Sequence, residues 1–234
     1  MHNTIHNTRE EDAVAREYAD LASQYDRRWA SYITATLRET LKRLELKPGD
    51  RLLDIGCGTG SLLQAISTKY PSIDLVGLDI SREMLKIACN KQINKCNFIT
   101  GQVQCLPFHS NSFDVVVSCN AFHYLRKPEE CLSEISRVLK PQSRIVITDW
   151  CDDYIACKIC DLFLRMFNRA HFKTYGKDAY ERLLRNAGYG NIQIERYKIN
   201  WLWGMMTAKA QTHLIEQPSK NVFKKEHFQI SDFV

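Results

Sequence analysis

The sequence predicts an α/β protein built on a mostly parallel, doubly wound sheet. Two observations predict this fold class. Between residues 51 and 149 short apolar segments alternate with amphipathic ones, and a glycine-rich turn follows the first apolar segment. Strands that alternate with helices pair in parallel through right-handed crossovers. Such sheets bind ligands beyond the carboxyl ends of their strands, so the glycine turn is also a candidate ligand-binding site.

The elements follow from hydrophobic periodicity. Apolar residues recur at spacings of three and four from about residue 10, which predicts helices over 10–46, and Pro48 and Gly49 end this region. The central part of the chain then reads as strands 51–55, 74–79, 97–100, 114–118 and 144–149, with helices 60–69, 81–91 and 128–139 between them.

The pattern changes after Asp149. Helices are predicted over 151–170 and 175–186, and residues 192–197 alternate as a strand. The apolar run 201–206 is too short to cross a bilayer, so it predicts a buried strand or a pocket wall, with a membrane-touching patch as the alternative.

Composition is that of one globular domain. The chain has 234 residues, 44% apolar and 25% charged, and a formal charge of +5 that is spread along its length. A mild, dispersed basic excess gives little support for nucleic-acid binding. The first eight residues lack the apolar core of a signal peptide, and no apolar run reaches membrane-spanning length, so we expect a cytoplasmic protein without a membrane span.

The nine cysteines are scattered, which favours reduced thiols over a disulfide framework. Cys157 and Cys160 form a C-x-x-C pair within a helical pattern. Because no second such pair or nearby histidine pair accompanies them, a packed helix face is favoured over zinc or redox chemistry, and no metal is predicted.

The glycine turn carries the main functional signal. An apolar strand ends in Asp54, Gly56 and Gly58 follow at alternating positions, and nineteen residues after Gly60 a second apolar strand ends in Asp79. Glycine accepts positive φ and lets a ligand approach the main chain, so the pattern indicates a nucleoside held by its ribose hydroxyls. The dinucleotide pattern G-x-G-x-x-G matches imperfectly because Ser61 stands at its third small position, which disfavours a nicotinamide cofactor.

The turn closely resembles motif I, D-x-G-x-G-x-G, of the class I S-adenosylmethionine-dependent methyltransferases. Three further blocks resemble the same family in order along the chain: 79–85, then 101–108 together with 112–116, and then 139–147. The resemblance implies a Rossmann-like, seven-stranded sheet with one antiparallel strand, an N-terminal helical lid and a helical insertion after the fifth strand. The general composition is similar to the quinone and natural-product branch of the family.

This resemblance implies five segments within one catalytic domain. They are a disordered tail 1–9, helices covering the active site 10–47, a cofactor-binding core 48–150, substrate-pocket helices with a terminal hairpin 151–216, and a C-terminal tail 217–234.

The resemblance also implies S-adenosyl-L-methionine as cofactor. The family positions that would hold it are Tyr25, Asp54, Gly56, Cys57, Gly58, Gly60, Asp79, Ile80, Met84, Gln102, Val103 and Asn120. Gln102 replaces the usual aspartate that accepts a hydrogen bond from the adenine amino group, and its amide oxygen still accepts. Tyr25, next to Asp26, has two interpretations: an aromatic lid over the sulfonium, or plain packing within an apolar stripe.

Methyl transfer from a sulfonium depends mainly on positioning, with a base added when the acceptor must lose a proton. His123 lies just past one predicted strand, Asp149 is the last residue of another, and His171 lies in the insertion after the fifth strand. These three are the candidate catalytic residues, as base or as acceptor-orienting groups. The alternatives are a hydrogen-bonded wall residue for His123, a surface loop for His171 and a helix cap for Asp149.

The carboxyl-terminal third is rich in large apolar side chains, which favours a small hydrophobic or aromatic acceptor over protein or nucleic acid. Three functions stay open at this point. The first is a small-molecule methyltransferase, the second is a cofactor-binding protein without catalysis, and the third is an NAD-dependent oxidoreductase. The sequence does not predict an oligomeric state.

Overall fold

The computed structural model describes residues 22, 24–167, 172–200 and 203–212, with the backbone alone for 164–167. Residues 24–28 are helical and lead through a turn at Trp29 into the first full helix. The helices are α1 (Ala30–Arg43), α2 (Ser61–Lys69), α3 (Arg82–Asn90), α4 (Pro128–Val138), α5 (Ile155–Phe167) and α6 (Lys177–Asn186), with a 3₁₀ turn at Phe122–Tyr124. The strands are β1 (Arg51–Ile55), β2 (Asp74–Asp79), β3 (Cys96–Thr100), β4 (Phe113–Cys119), β5 (Leu139–Trp150), β6 (Tyr189–Lys198) and β7 (Gly204–Thr212).

The seven strands form one sheet in the order β3-β2-β1-β4-β5-β7-β6. Neighbours from β3 to β5 pair in parallel, whereas β7 runs antiparallel to both β5 and β6. The predicted mostly parallel sheet with one antiparallel strand is therefore confirmed. Chain order reverses direction between β1 and β4, and this reversal creates a crevice at the carboxyl ends of these two strands.

The central strands are apolar throughout because helices cover both faces of the sheet. Leu52 and Leu53 of β1 are fully buried, as are Val116 and Val117 of β4. One apolar cluster includes Leu53 and packs with α4 and α6, and the other includes Leu52 and packs with α1 and α2. The sheet is thus a rigid platform for the loops that follow β1, β2 and β4.

Several strand boundaries differ from the sequence-based prediction. β5 begins at Leu139, five residues early, because Leu139 already pairs with Phe113 of β4. β7 continues to Thr212, beyond the predicted end at Met206, since its paired register with β5 extends to Gln211 opposite Arg144. Residues 201–202 lie outside the described part of the chain, and the predicted strand or pocket wall is confirmed as a strand only from Gly204.

The N-terminal helical region also differs in detail. α1 ends at Arg43, and Leu44 is extended, although the prediction ran to residue 46. The fully buried residues of α1 are Thr36 and Thr40, which face the sheet beside a stripe of partly buried leucines. The predicted tails 1–9 and 217–234, and the helix predicted from residue 10 to residue 21, lie outside the described residues. Among the helices that the structure describes, none has the length and apolar character needed to cross a bilayer.

Candidate active site

A cleft opens at the carboxyl ends of β1, β2 and β4, at the reversal of strand order. Every residue predicted to hold the cofactor lines this cleft except Gly60, whose neighbours Thr59 and Ser61 do. Gly60 instead begins α2 as its N-terminal capping residue. The residues that the sequence grouped by motif are therefore brought together in space.

The glycine loop between β1 and α2 is held by hydrogen bonds to the end of β2. The backbone amides of Gly56 and Cys57 donate to the Leu78 carbonyl oxygen at 2.8 and 3.1 Å. The Gly58 amide donates to Asp79 Oδ2 at 2.7 Å. These bonds fix the loop from the β2 side and leave its other face towards the cleft.

Two glycines in this loop are required for different reasons. Both have positive φ, +69° at Gly56 and +52° at Gly58. A Cβ on Gly56 would collide with the Ala121 side chain, so the protein itself excludes a larger residue there. A Cβ on Gly58 would meet nothing within 4 Å. The space beside Gly58 is open cleft, as a ligand lying against the main chain requires.

Two carboxyl groups sit at this end of the cleft. Asp54 is buried, and within the described structure its Oδ1 atom has no hydrogen-bond partner. Burial, with a smaller contribution from the charge of Asp79, raises the pKa of Asp54 well above its usual range. Asp79 accepts from the amides of Gly58 and Ser81, the latter at 2.9 Å. Burial also raises the pKa of Asp79, partly offset by these backbone donors.

This donor and acceptor set fits a nucleoside cofactor that carries an ammonium group. A buried carboxylate oxygen without a partner is costly, and a ligand donor would remove that cost. The bare main chain at Gly58 gives room for the same ligand. Among the residues that the structure describes, no cluster of three or more His, Cys, Asp or Glu side chains could hold a metal ion.

A polar contact joins the N-terminal helical segment to the glycine loop. Asp26 Oδ1 accepts from the Thr59 hydroxyl at 2.6 Å, and Asp26 Oδ2 accepts from Lys91 Nζ at 2.8 Å. Burial opposes ionisation of Asp26, but hydrogen bonds from Lys91 and Thr59 outweigh it and lower the pKa of the carboxyl. We refer to Asp26, Thr59 and Lys91 as the Asp26 latch. The sequence pattern did not predict this cluster, although the adjacent Tyr25-Asp26 pair was a signal for it.

Tyr25, one residue before the latch, lines the cleft. Burial, followed by the charges of Cys119 and Asp26, raises the pKa of Tyr25 to about 12. Its phenol is therefore uncharged at neutral pH. The Tyr25 side chain is partly buried and lies at the cleft wall, so its position agrees with a lid over the ligand and with packing.

His123 and Asp149 are brought together by the ends of β4 and β5. His123 Nδ1 lies 2.7 Å from Asp149 Oδ1, and the His123 amide donates to Asp149 Oδ2 at 2.9 Å. Both side chains are almost fully buried, and neither lines the cleft. The cleft wall at this point is formed by the neighbouring Tyr124. His171 lies outside the described residues.

Asn120 lies at the end of β4 with a positive φ of +58°. Its side-chain oxygen accepts from the Tyr32 hydroxyl at 2.8 Å, and its amide nitrogen donates to Thr36 Oγ1 at 2.9 Å. Trp150 Nε1 also donates to the Tyr32 hydroxyl oxygen. These bonds connect α1 to the ends of β4 and β5. Tyr32 and Thr36 were not predicted as site residues, because they fall outside the apolar stripe on α1.

Comparison with known proteins agrees with this geometry. Residues 46–188 match a family model described as a methyltransferase domain. A demethylmenaquinone methyltransferase from Thermotoga maritima is 32% identical over 143 residues, covering 59% of this chain and 58% of that protein. The chain spans less than two thirds of the length of the curated relatives that it matches.

Two solved structures share the fold. A methyltransferase from Haloferax volcanii in complex with the Trm112 activator has a TM-score of 0.72 at 22% identity, covering 84% of this chain and 98% of that one. A phosphoethanolamine N-methyltransferase 2 from Haemonchus contortus, solved with S-adenosyl-L-methionine, has a TM-score of 0.67 at 18% identity, covering 84% and 60%. The fold, the glycine loop and the matched family model together show that this chain belongs to the class I methyltransferases, the family whose cofactor is S-adenosyl-L-methionine.

Proposed function

We propose that this chain transfers the methyl group of S-adenosyl-L-methionine to a small, hydrophobic or aromatic acceptor. The observation that carries the proposal is that one cleft contains both the open main chain at Gly58 and the unpartnered carboxyl oxygen of Asp54. Within the described structure, no side chain occupies the space next to Gly58 and none donates to Asp54 Oδ1. A ligand with a hydrogen-bond donor would fit this position. The cofactor would supply an activated methyl group, so the chain's own task is to bind, align and exclude water.

The cofactor-holding roles follow from the cleft. Asp54 would accept a hydrogen bond from the ligand, and Gly56, Cys57 and Gly58 would present main chain to it. Asp79, already held by two backbone amides, has carboxylate lone pairs left for ribose hydroxyls. Further along the same wall, an adenine ring would lie among Ile80, Met84, Gln102 and Val103.

His123 and Asp149 are proposed to act through position. Asp149 accepts from the backbone and contacts the ring of His123, which anchors the 3₁₀ turn Phe122–Tyr124 at the edge of the cleft. Because neither side chain lines the cleft, the pair fits acceptor orientation through Tyr124 better than direct proton removal. His171 lies outside the described residues, and it is proposed as a base from its sequence position after the fifth strand.

The character of the cleft wall supports an apolar acceptor. Ile33 and Leu37 of α1, Leu125, and the Tyr124 ring line it beyond the glycine loop. Apolar walls with few polar groups are typical of pockets for small molecules. Of the relatives, the demethylmenaquinone methyltransferase is named for a quinone acceptor, which is compatible with such a wall.

Two measurements test the proposal. Isothermal titration calorimetry should detect saturable binding of S-adenosyl-L-methionine, and a coupled assay for S-adenosylhomocysteine should report turnover with a panel of hydrophobic phenols and acids. Binding without turnover on every acceptor would favour a non-catalytic cofactor-binding protein. Saturable binding of NADH with no heat from S-adenosyl-L-methionine would favour an oxidoreductase and overturn the proposal.

A further inference from the structure

Helix α5 (Ile155–Phe167) presents large apolar side chains to solvent. Ile155, Ile159 and Leu162 are 79%, 65% and 64% exposed. They recur at spacings of four and three residues, so they share one side of the helix over two turns. Single exposed apolar residues are ordinary, but a stripe of three on one helix face indicates a surface that contacts a partner.

The opposite side of α5 fixes the helix in this orientation. Cys157 is fully buried, and its Sγ atom donates to the Gly204 carbonyl oxygen at 3.3 Å. One turn later Asp161 is also buried, and its Oδ1 atom accepts from the Thr174 amide at 2.7 Å. Turning the helix to bury its apolar stripe would break these contacts with β7 and with the segment before α6. The stripe is therefore a fixed feature of the surface.

Cations border the stripe. Lys158 is exposed and lies three residues after Ile155 and four before Leu162, next to both on the helix surface. Lys198 Nζ lies 5.7 Å from the centroid of the ring of Tyr154, the residue before α5. The charges that border the apolar stripe are thus positive.

The acidic residues of this region are buried or interact with a cation. Asp161 is on the buried side of α5. Asp153 Oδ2 accepts from Arg196 Nη1 at 2.8 Å. Asp152 is partly buried, and the charge of Lys158 acts on it. The exposed face of α5 therefore combines apolar side chains with a positive rim.

We propose that α5 docks on an anionic phospholipid bilayer, with its apolar stripe at the acyl boundary and its bordering lysines among the headgroups. Helices with an apolar face and basic flanks lie in the plane of the membrane interface. Their binding depends on the apolar area that they bury and on attraction to anionic lipids. Such docking needs no membrane-spanning helix.

A second copy of this chain fits the stripe less well. From Ile155 to Leu162 the stripe is about 10 Å long at the rise of an α-helix. Each side of a specific protein interface buries about 800 Å², which is far more than three side chains supply. Pairing two copies through the stripe would also bring Lys158 of both copies into one interface, where like charges repel.

The segment after α5 also borders the cleft. The amides of Phe172 and Lys173 donate to the His123 carbonyl oxygen at 3.3 and 3.1 Å, and the next residue, Tyr124, lines the cleft. Docking through α5 would hold the cleft near the bilayer, which shortens the path of a hydrophobic acceptor through water. Lipid binding itself does not depend on methyl transfer, so this inference goes beyond the proposed function.

The test measures binding of the full chain to lipid vesicles by co-sedimentation. Vesicles of phosphatidylcholine are compared with vesicles of an equal mixture of phosphatidylcholine and phosphatidylglycerol. We expect the partition coefficient to be about tenfold higher on the anionic vesicles. Added salt should lower it, because salt screens the attraction between lysines and headgroups.

Variants then assign the binding to α5. The double variant Ile159→Gln, Leu162→Gln should lower the partition coefficient on anionic vesicles about tenfold or more, since two apolar side chains no longer enter the acyl boundary. The matched control Ile159→Leu, Leu162→Ile keeps the apolar surface and should bind like the wild type. Lys158→Gln should lower the coefficient about fivefold. Arg185→Gln removes the same charge from the exposed face of α6 and should leave it unchanged.

Because the substituted side chains are exposed, every variant should unfold at the wild-type temperature. Three results would overturn the docking proposal. They are a wild-type protein that binds neither kind of vesicle, equal binding to both kinds, and binding that persists in Ile159→Gln, Leu162→Gln. A wild-type dimer in size-exclusion chromatography that this double variant dissociates would assign the stripe to a second copy instead. Failure to bind S-adenosylhomocysteine would overturn the proposed function and leave the vesicle result standing, so the two failures are distinguishable.

Discussion

At the scale of single residues, Gly58 can be compared with Gly49, which has a similar backbone conformation but lies outside the cleft. Both have positive φ, and a Cβ on either would meet nothing within 4 Å, but only Gly58 lines the cleft. Alanine at either position should cost about 1–2 kcal/mol of stability from the left-handed backbone alone. Gly58→Ala should also raise the Kd for S-adenosyl-L-methionine by about tenfold or more, equivalent to about 1.4 kcal/mol. Chemical denaturation and calorimetry measure the two effects.

Gly49→Ala is the control, since it should lose the same stability and keep cofactor affinity. Gly56→Ala should behave differently from both, because its methyl group would collide with Ala121 and destabilise the fold before binding is considered. Equal cofactor affinity in Gly58→Ala and Gly49→Ala would show that no ligand lies against Gly58.

Asp54 predicts a pH dependence of cofactor binding. Burial holds its pKa well above the usual range in the free protein, so the carboxyl keeps its proton to a higher pH than normal. A cationic ligand group beside it would favour the carboxylate and lower this pKa on binding. Binding should therefore release protons, and the Kd should fall as pH rises from the ordinary carboxyl range through the raised pKa of the free protein.

Calorimetry in two buffers with different ionisation enthalpies measures the number of protons released. Asp54→Asn removes the contribution of Asp54 while leaving any titration of the cofactor itself, so the difference between the two proteins isolates this carboxyl. Identical proton release from wild type and Asp54→Asn would mean that the ligand cation lies elsewhere.

Residues of the site were predictable where one motif holds them together. Asp54, Gly58 and Asp79 occupy fixed positions relative to strand ends, and strand ends are readable from apolar runs. Asp26 and Tyr32 were not predictable, because their roles depend on where the N-terminal helical segment lies over the sheet. That placement involves sequence separations of 33 and 88 residues, and local periodicity contains no information about it.

At the scale of elements, the Asp26 latch joins the helical segment before α1 to the glycine loop and to α3. Asp26→Asn keeps an acceptor for the Thr59 hydroxyl but removes the charge paired with Lys91. Because the pair is partly exposed, we expect only about a three- to tenfold rise in the Kd for S-adenosyl-L-methionine. Amides of residues 29–33 should exchange faster with deuterium in Asp26→Asn than in the wild type.

The pKa of Asp26 is lowered, so its carboxylate is charged at any pH above the ordinary carboxyl value of 3.8. The charge is lost only as the pH falls below that value.

Glu181→Gln is the comparison variant, since it removes the exposed pair with Arg185 on α6, remote in sequence from the latch. It should leave both cofactor affinity and deuterium exchange at residues 29–33 as in the wild type. If Asp26→Asn gives the same exchange as Glu181→Gln, the latch does not hold the helical segment over the cleft.

The elements themselves were predictable in type because central strands of a covered parallel sheet are continuous apolar runs, as in β1 and β4. Their ends were less predictable at the antiparallel side. β5 is lengthened by pairing with β4 and β7, and β7 is lengthened by pairing with β5 and β6. The added residues include polar ones such as Lys140 and Gln211. On this side of the sheet the end of a strand depends on the length of the strand it pairs with. That length cannot be predicted from the strand's own residues.

At the scale of the whole molecule, a ligand that binds the native state alone raises its stability by mass action. At a free concentration one hundred times its Kd, S-adenosylhomocysteine should stabilise the protein by about 2.7 kcal/mol. For a domain of this size each kcal/mol shifts Tm by about 2–4 °C, so differential scanning fluorimetry should show a rise of about 5–11 °C.

NADH at the same concentration should give no rise, because Ser61 interrupts the dinucleotide pattern and contacts Thr59 within the cofactor cleft. Gly58→Ala should lose most of the rise with S-adenosylhomocysteine, whereas Gly49→Ala should retain it. A rise with NADH that matches or exceeds the rise with S-adenosylhomocysteine would contradict the assignment of the cleft to a methionine-derived nucleoside.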